Sequence, residues 1–219
     1  MLKLASLCLG LLFLSCLRGA LAEVKLPAVI SDHMVLQADL AAPIFGTAAP
    51  GEQVSVEMAG QKKTATAGPD GKWLVKLDPQ KTGGPHELKV GGVTVKDVLV
   101  GEVWVASGQS NMRYPLQKAT DAGEEIGKAN YPKLHYFMGG RWVECSPKTA
   151  PAFSAVAYFF ATDLLQRLNA PIGILDNSVS GAVCQTYISL AALEADADLN
   201  AAVKKHKADG QESGQHFKA

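Results

Sequence analysis

Val98-Leu99-Val100-Gly101-Glu102-Val103-Trp104-Val105-Ala106-Ser107-Gly108-Gln109-Ser110-Asn111-Met112 is the stretch on which the fold turns. Its apolar, β-branched first part reads as a buried strand over 98–106, and small residues stop that strand abruptly at Gly108. Open α/β sheets place ligands outside the carboxyl ends of their strands, which is where Ser110 would stand. A serine there acts as a nucleophile when a base takes its proton and backbone N–H groups hold the oxyanion that forms. Gly-Gln-Ser-Asn residues also favour turns for purely structural reasons. From the residues alone, a nucleophile and a plain polar turn both stay open.

Downstream of this strand, residues 119–129 read as a weakly helical or looped insertion and Lys133 to Met138 as another short strand. From Ser154 to Leu168 apolar residues recur every three to four positions, with Ser154 suited to cap the helix and Asn169 to close it. Pro171 to Leu175 then begins a strand. Strand, helix and strand in that order imply a right-handed crossover onto a parallel sheet, hence an α/β layer. Ser189 to Asp209 is predicted as one further helix, with Lys204 and Lys205 at its negative end. Residues 210–219 are polar and read as a disordered tail.

Upstream, residues 23–95 carry only β signals. Gln53–Met58, Lys63–Ala67, Trp73–Leu77 and Glu87–Val90 alternate polar with apolar residues, and Gly- and Pro-containing turns separate them. Short strands at that spacing predict a small antiparallel sandwich. Alternation puts Trp73, Val75 and Leu77 on one face, so Trp73 is expected in the core rather than stacked on a sugar. His33 and His86 have no second histidine at ligand spacing, and zinc requires three or four ligands. Neither a metal nor a cofactor is therefore expected.

At the N-terminus, Met1-Leu2-Lys3 precedes an apolar run from Leu4 to Leu17, and Ala20-Leu21-Ala22 supplies small residues of the kind a signal peptidase reads. The run is shorter than the roughly 20 residues of a membrane span. Residues 1–22 are accordingly expected to be a cleaved signal peptide and the protein to be secreted or periplasmic. Cys16 after Leu14-Ser15 offers a lipoprotein anchor as the alternative, although Phe13 and Arg18 fit it poorly. Of the four cysteines, Cys145 and Cys184 would remain. Two readings stand for them: a disulfide closing a loop of roughly 40 residues, stabilising by about 3 to 4 kcal/mol, or two separate thiols. With 21 basic and 21 acidic residues the chain carries no net charge. That balance argues against a nucleic-acid partner and against a polybasic membrane patch.

Val100-Gly101-Glu102-Val103-Trp104 followed by Ser107-Gly108-Gln109-Ser110-Asn111-Met112 resembles the nucleophile block of the sialate O-acetylesterase family, a carbohydrate-esterase branch of the SGNH hydrolases. Leu26-Pro27 with Ser31–Gln37, Phe153–Phe160 and Pro171–Ile174 agree with it in order. The resemblance implies an all-β sandwich over residues 23–95 followed by a partial α/β, SGNH-hydrolase-like parallel-sheet domain over 96–209. It also implies an acetylated carbohydrate as substrate. Ser110 would attack the acetyl carbonyl, and the N–H groups of Ser110 and Gly181 would form the oxyanion hole.

Ser178-Val179-Ser180-Gly181-Ala182 departs from the family's Gly-Gly-Thr: Ser180 and Ala182 replace the first glycine and the threonine. A positive φ at Ser180 would cost about 1 kcal/mol or more. The family's later blocks, a Gln-Gly-Glu-Ser-Asn-like segment and an Asp-x-x-His pair carrying the general base, do not occur before Ala219. The sequence thus reads as the N-terminal part of such an esterase, with a second chain as the means of completing its sheet. The alternative is a noncatalytic secreted pseudoenzyme or carbohydrate-binding protein.

Overall fold

The computed structural model describes residues 24–208, so the expected signal peptide (1–22) and tail (210–219) lie outside the described residues. The first strands are β1 (Val35–Gln37), β2 (Ala42–Thr47), β3 (Gln53–Met58), β4 (Gln61–Thr66), β5 (Lys72–Leu77) and β6 (Gly83–Val90). The alternation that predicts β3 and β5 becomes alternating burial, with Val54, Val56, Met58, Trp73, Val75 and Leu77 all inside. β2 escapes the sequence pattern because Pro43 and Gly46 interrupt it. Among the described residues its one partner strand is β5, and an edge position tolerates proline.

β7 (Val93–Gly108) is longer than expected and ties the molecule together. Val93–Val100 pairs antiparallel with β6, and Glu102–Gly108 pairs parallel with β10 (Ile172–Ser178). The boundary expected near residue 95 therefore falls inside one continuous strand. β1 lies parallel to β7 at Leu99–Gly101. The main sheet runs β4-β3-β6-β7-β10-β8-β9, with β8 at Tyr131–Met138 and β9 at Arg141–Cys145, while β2 and β5 form a separate pair. Ile44, Trp73 and Leu77 of that pair share one hydrophobic cluster with Val56, Leu88 and Val98 of the main sheet.

The expected parallel layer is formed by β7, β10 and β8, with α2 in the connection to β10, while the sheet as a whole is mixed. β9 returns antiparallel to β8 through Gly139-Gly140, both at positive φ, as a two-residue hairpin turn requires. α1 (Ala122–Lys128) occupies the expected insertion, and α2 (Ala155–Leu168) packs Ala157, Tyr158 and Ala161 against Leu134, Ile172 and Ile174. Ser154 Oγ accepts the Ala157 N–H at 3.1 Å, and Asn169, at φ 47°, closes the helix with its N–H on Leu165 O, as predicted.

The single helix expected over 189–209 is two, α3 (Leu190–Ala195) and α4 (Ala197–Ala208). Asp196 breaks it by turning its carboxylate onto the N–H groups of Asp198 and Leu199, both at 3.0 Å, and so caps α4 instead of continuing α3. Where β1, β7 and β10 meet, the backbone closes to a separation only glycine allows: a Cβ on Gly101 would lie 2.0 Å from Pro171 O. Cys145, buried, and Cys184, exposed, are both free, in line with two separate thiols. Among the described residues no helix is long and apolar enough to cross a membrane.

Candidate functional site

β7 ends at Gly108, and the chain turns at once through Gln109–Arg113, whose N–H donates to Gln109 O at 3.0 Å. Ser110 lies in this turn, exposed to solvent. Next to it β10 ends, with Ser178 paired to Gly108. Three bonds fasten the two strand ends. Val179 N–H donates to Gly108 O at 2.9 Å, the Tyr187 hydroxyl donates to the same oxygen, and Arg113 Nη1 donates to Ser178 O at 2.8 Å.

Gly181 follows three residues after Ser178, in a turn closed by the Ala182 N–H on Val179 O at 3.0 Å. Its φ is 78°, and a Cβ there would meet nothing within 4 Å. Ser180 carries no positive φ, because the left-handed position falls on Gly181, so the strain that a positive φ would bring does not arise. The structure brings the Ser110 and Gly181 turns to adjacent strand ends. Neither residue's N–H donates a hydrogen bond within the described residues.

Beneath these turns lies a polar network that sequence reasoning missed. Asp176 Oδ1 accepts from Ser178 N–H at 2.9 Å and from Ser178 Oγ at 2.5 Å, and Oδ2 accepts from the Tyr136 hydroxyl at 3.2 Å. The Tyr136 hydroxyl accepts in turn from Ser154 N–H at 3.2 Å, joining the β10 end to the start of α2. Burial, with the Asp176 charge as a second cause, pushes the Tyr136 phenol well above its ordinary pKa and keeps it a neutral donor. Arg113 and Tyr187 were missed for the same reason: their partners are backbone oxygens on another element, which leave no mark in the sequence.

No imidazole or carboxylate touches Ser110 among the described residues. His135 lies in the apolar run expected as a strand over 133–138, where a core or edge residue is expected, and it is buried within β8. Its Nδ1 lies 2.6 Å from His33 O and its Nε2 3.1 Å from Pro132 O, and burial lowers its pKa. His216 lies outside the described residues. His33 has no second histidine at ligand spacing in the sequence; the fold brings His135 to it from 102 residues away, with their rings 5.8 Å apart.

The half of β7 leading to Ser110 has one open side. From Glu102 to Gly108 its only strand partner among the described residues is β10, and on the other side the Gln37 side chain takes the Val103 N–H at 2.9 Å. Trp104 and Val105 are exposed there, and Trp104 meets the edge of Phe160 from α2 at 5.1 Å.

No family model matches the chain. The sialate O-acetylesterase of Rattus norvegicus is 32% identical over 215 residues, covering 81% of this chain and 40% of that protein. The sialate O-acetylesterase of Homo sapiens is 29% identical over 215 residues, covering 81% of this chain and 41% of its own length. The crystal structure of a carbohydrate acetylesterase from Xanthomonas citri superposes with a TM-score of 0.75 at 34% identity, covering 80% of this chain and 45% of that one. The chain spans about 40% of the length of the curated relatives it matches.

Proposed function

The chain belongs to the sialate O-acetylesterase family, and from that membership and the geometry of the Ser110 turn we propose that it forms the nucleophile-bearing part of a hydrolase that removes O-acetyl groups from sugars. One observation carries this reading. An exposed serine in a tight turn after β7 stands beside a glycine turn after β10, and the N–H of neither donates to another group among the described residues. Ser110 Oγ would attack the acetyl carbonyl, the sugar oxygen would leave with a proton, and water would release acetate from the acyl-serine. The Ser110 and Gly181 N–H groups would hold the oxyanion. The Asp176 carboxylate keeps the β10 end in place for this without touching Ser110.

The proton acceptor is supplied, on this reading, by further polypeptide completing the sheet along the open side of β7. Exposed Trp104 and Val105 support that docking. The reading extends to a secreted or periplasmic site of action, with no cofactor and no nucleic-acid partner. Acetate release from acetylated xylan and from O-acetylated sialic acid, with imidazole added as the proton acceptor and compared between the chain and its Ser110→Ala variant, tests it. A serine-dependent rate is expected on at least one of them; identical rates on both would overturn it. The second reading, a noncatalytic carbohydrate-binding protein, is favoured by one observation, the lack of any base at Ser110 among the described residues. It predicts equal rates together with retained binding of the glycan.

A further inference from the structure

Thirteen residues before Ser110, Asp97 precedes the part of β7 that pairs with β1 and β10. Asp97 Oδ2 lies 2.6 Å from His33 Nδ1 and 3.9 Å from His135 Nε2, and one ligand atom from each of the three residues falls within 4.8 Å of the others. His33 and Asp97 are both held at positive φ, 66° and 54°, and the bond from His33 N–H to Lys96 O at 3.0 Å locks them opposite each other. Non-glycine residues take that conformation at a cost, and such residues cluster where side chains must be aimed.

The ring of His135 decides what the cluster holds. If Nδ1–H donates to His33 O at 2.6 Å, the lone pair of Nε2 is left facing Pro132 O at 3.1 Å and Asp97 Oδ2 at 3.9 Å. An acceptor surrounded by acceptors requires a positive species between them, either a second proton on the ring or a metal ion. A backbone carbonyl fixing the far nitrogen is how proteins orient a metal-binding histidine. From this geometry we infer that His33 Nδ1, Asp97 Oδ2 and His135 Nε2 bind a divalent transition-metal ion, zinc in first place.

Zinc–ligand bonds of about 2.0 to 2.1 Å put neighbouring tetrahedral ligands about 3.3 Å apart. The two measured edges, 2.6 and 3.9 Å, straddle that value and all three ligand atoms lie within 4.8 Å of one another, so side-chain movements of about 1 Å complete the site. Two imidazoles and a carboxylate suit zinc better than calcium or magnesium, which prefer all-oxygen sites. Water takes the fourth place. The ion clamps the loop before β1, Asp97 of β7 and β8 together, independently of any chemistry at Ser110.

Calorimetric titration of chelator-treated full chain with zinc chloride tests the inference, with Co²⁺ absorption as the geometric readout. One ion per chain is expected, together with the visible absorption of tetrahedral Co²⁺. Replacing an outer partner of a metal site costs about 10- to 100-fold in affinity, so His33→Ala should weaken zinc binding at least about tenfold. His33 is half-exposed, so this variant keeps the test valid if the buried His135→Gln variant does not fold. Zinc binding that His33→Ala and Asp97→Asn leave unchanged would place the ion elsewhere and overturn the inference. So would the absence of binding with both ring nitrogens of His135 protonated by ¹⁵N NMR, since the second proton would then fill the site.

Discussion

Asp176→Ala removes the acceptor on which the β10 end rests, and its cost follows from the three bonds it loses. Two donors belong to Ser178, which is 3% exposed, and the third to Tyr136, which is fully buried. Bonds to an ionised acceptor contribute about 1.5 to 3 kcal/mol each when dry, and a stranded buried donor costs about 1 to 3 kcal/mol. Asp176 is only half-buried and water will reach part of the vacated space, so about 2 to 4 kcal/mol is expected in total. Urea unfolding measures that loss as a lower midpoint at unchanged slope. Hydrogen exchange localises it: Val179 N–H, bonded to Gly108 O, should exchange roughly thirtyfold faster for a local loss of about 2 kcal/mol. A loss below about 0.5 kcal/mol, with Val179 exchange unchanged, would refute the claim that Asp176 holds the strand end beneath the candidate site.

Gly101→Ala forces a methyl group to 2.0 Å from a backbone oxygen, and neither side can yield without displacing β7 or β10. It should destabilise by about 3 kcal/mol or more in urea, or prevent soluble expression. Burial pushes the Cys145 thiol up to about 12, whereas in the unfolded chain it ionises near the ordinary value of about 8.5. The unfolded state therefore loses this proton first. The thiol's contribution is whole below about pH 8.5 and is lost as pH rises toward 12, at up to about 1.4 kcal/mol per unit, and Cys145→Ala should flatten that limb of the stability curve. In the folded chain a thiol reagent should label exposed Cys184 promptly and reach Cys145 only on unfolding; equal rates at both would contradict the placement of Cys145 in the core.

Local order was legible in the sequence wherever one residue's pattern decides its own surroundings. The alternation of Gln53–Met58 and Trp73–Leu77, and the cap pair Ser154 and Asn169, act within a few residues and emerged as β3, β5 and the ends of α2. Asp196 shows the limit of periodicity, since a helical pattern ran through a side chain that prefers to cap. β9 was hidden because Gly139-Gly140 was not read as a hairpin, although two glycines between apolar runs are the local signal for one. What could not be read were long-range meetings. Asp176 with Tyr136 spans 40 residues and His33 with His135 spans 102, and neither pair follows from spacing in the chain. The strand that stops at Gly108 was legible locally and places Ser110 in an exposed turn, but its reading as a nucleophile came from the family resemblance.

The claim that Ser110 is a competent nucleophile lacking only a proton acceptor is tested most directly by supplying that acceptor in solution. Initial rates of acetyl-ester hydrolysis would be followed against imidazole concentration for the chain and for Ser110→Ala, whose exposed site should leave stability within about 0.5 kcal/mol. Imidazole catalyses the reaction weakly by itself, and the variant subtracts that contribution. A steeper, saturating dependence in the chain than in Ser110→Ala is the predicted result. Two superimposed straight lines would contradict it.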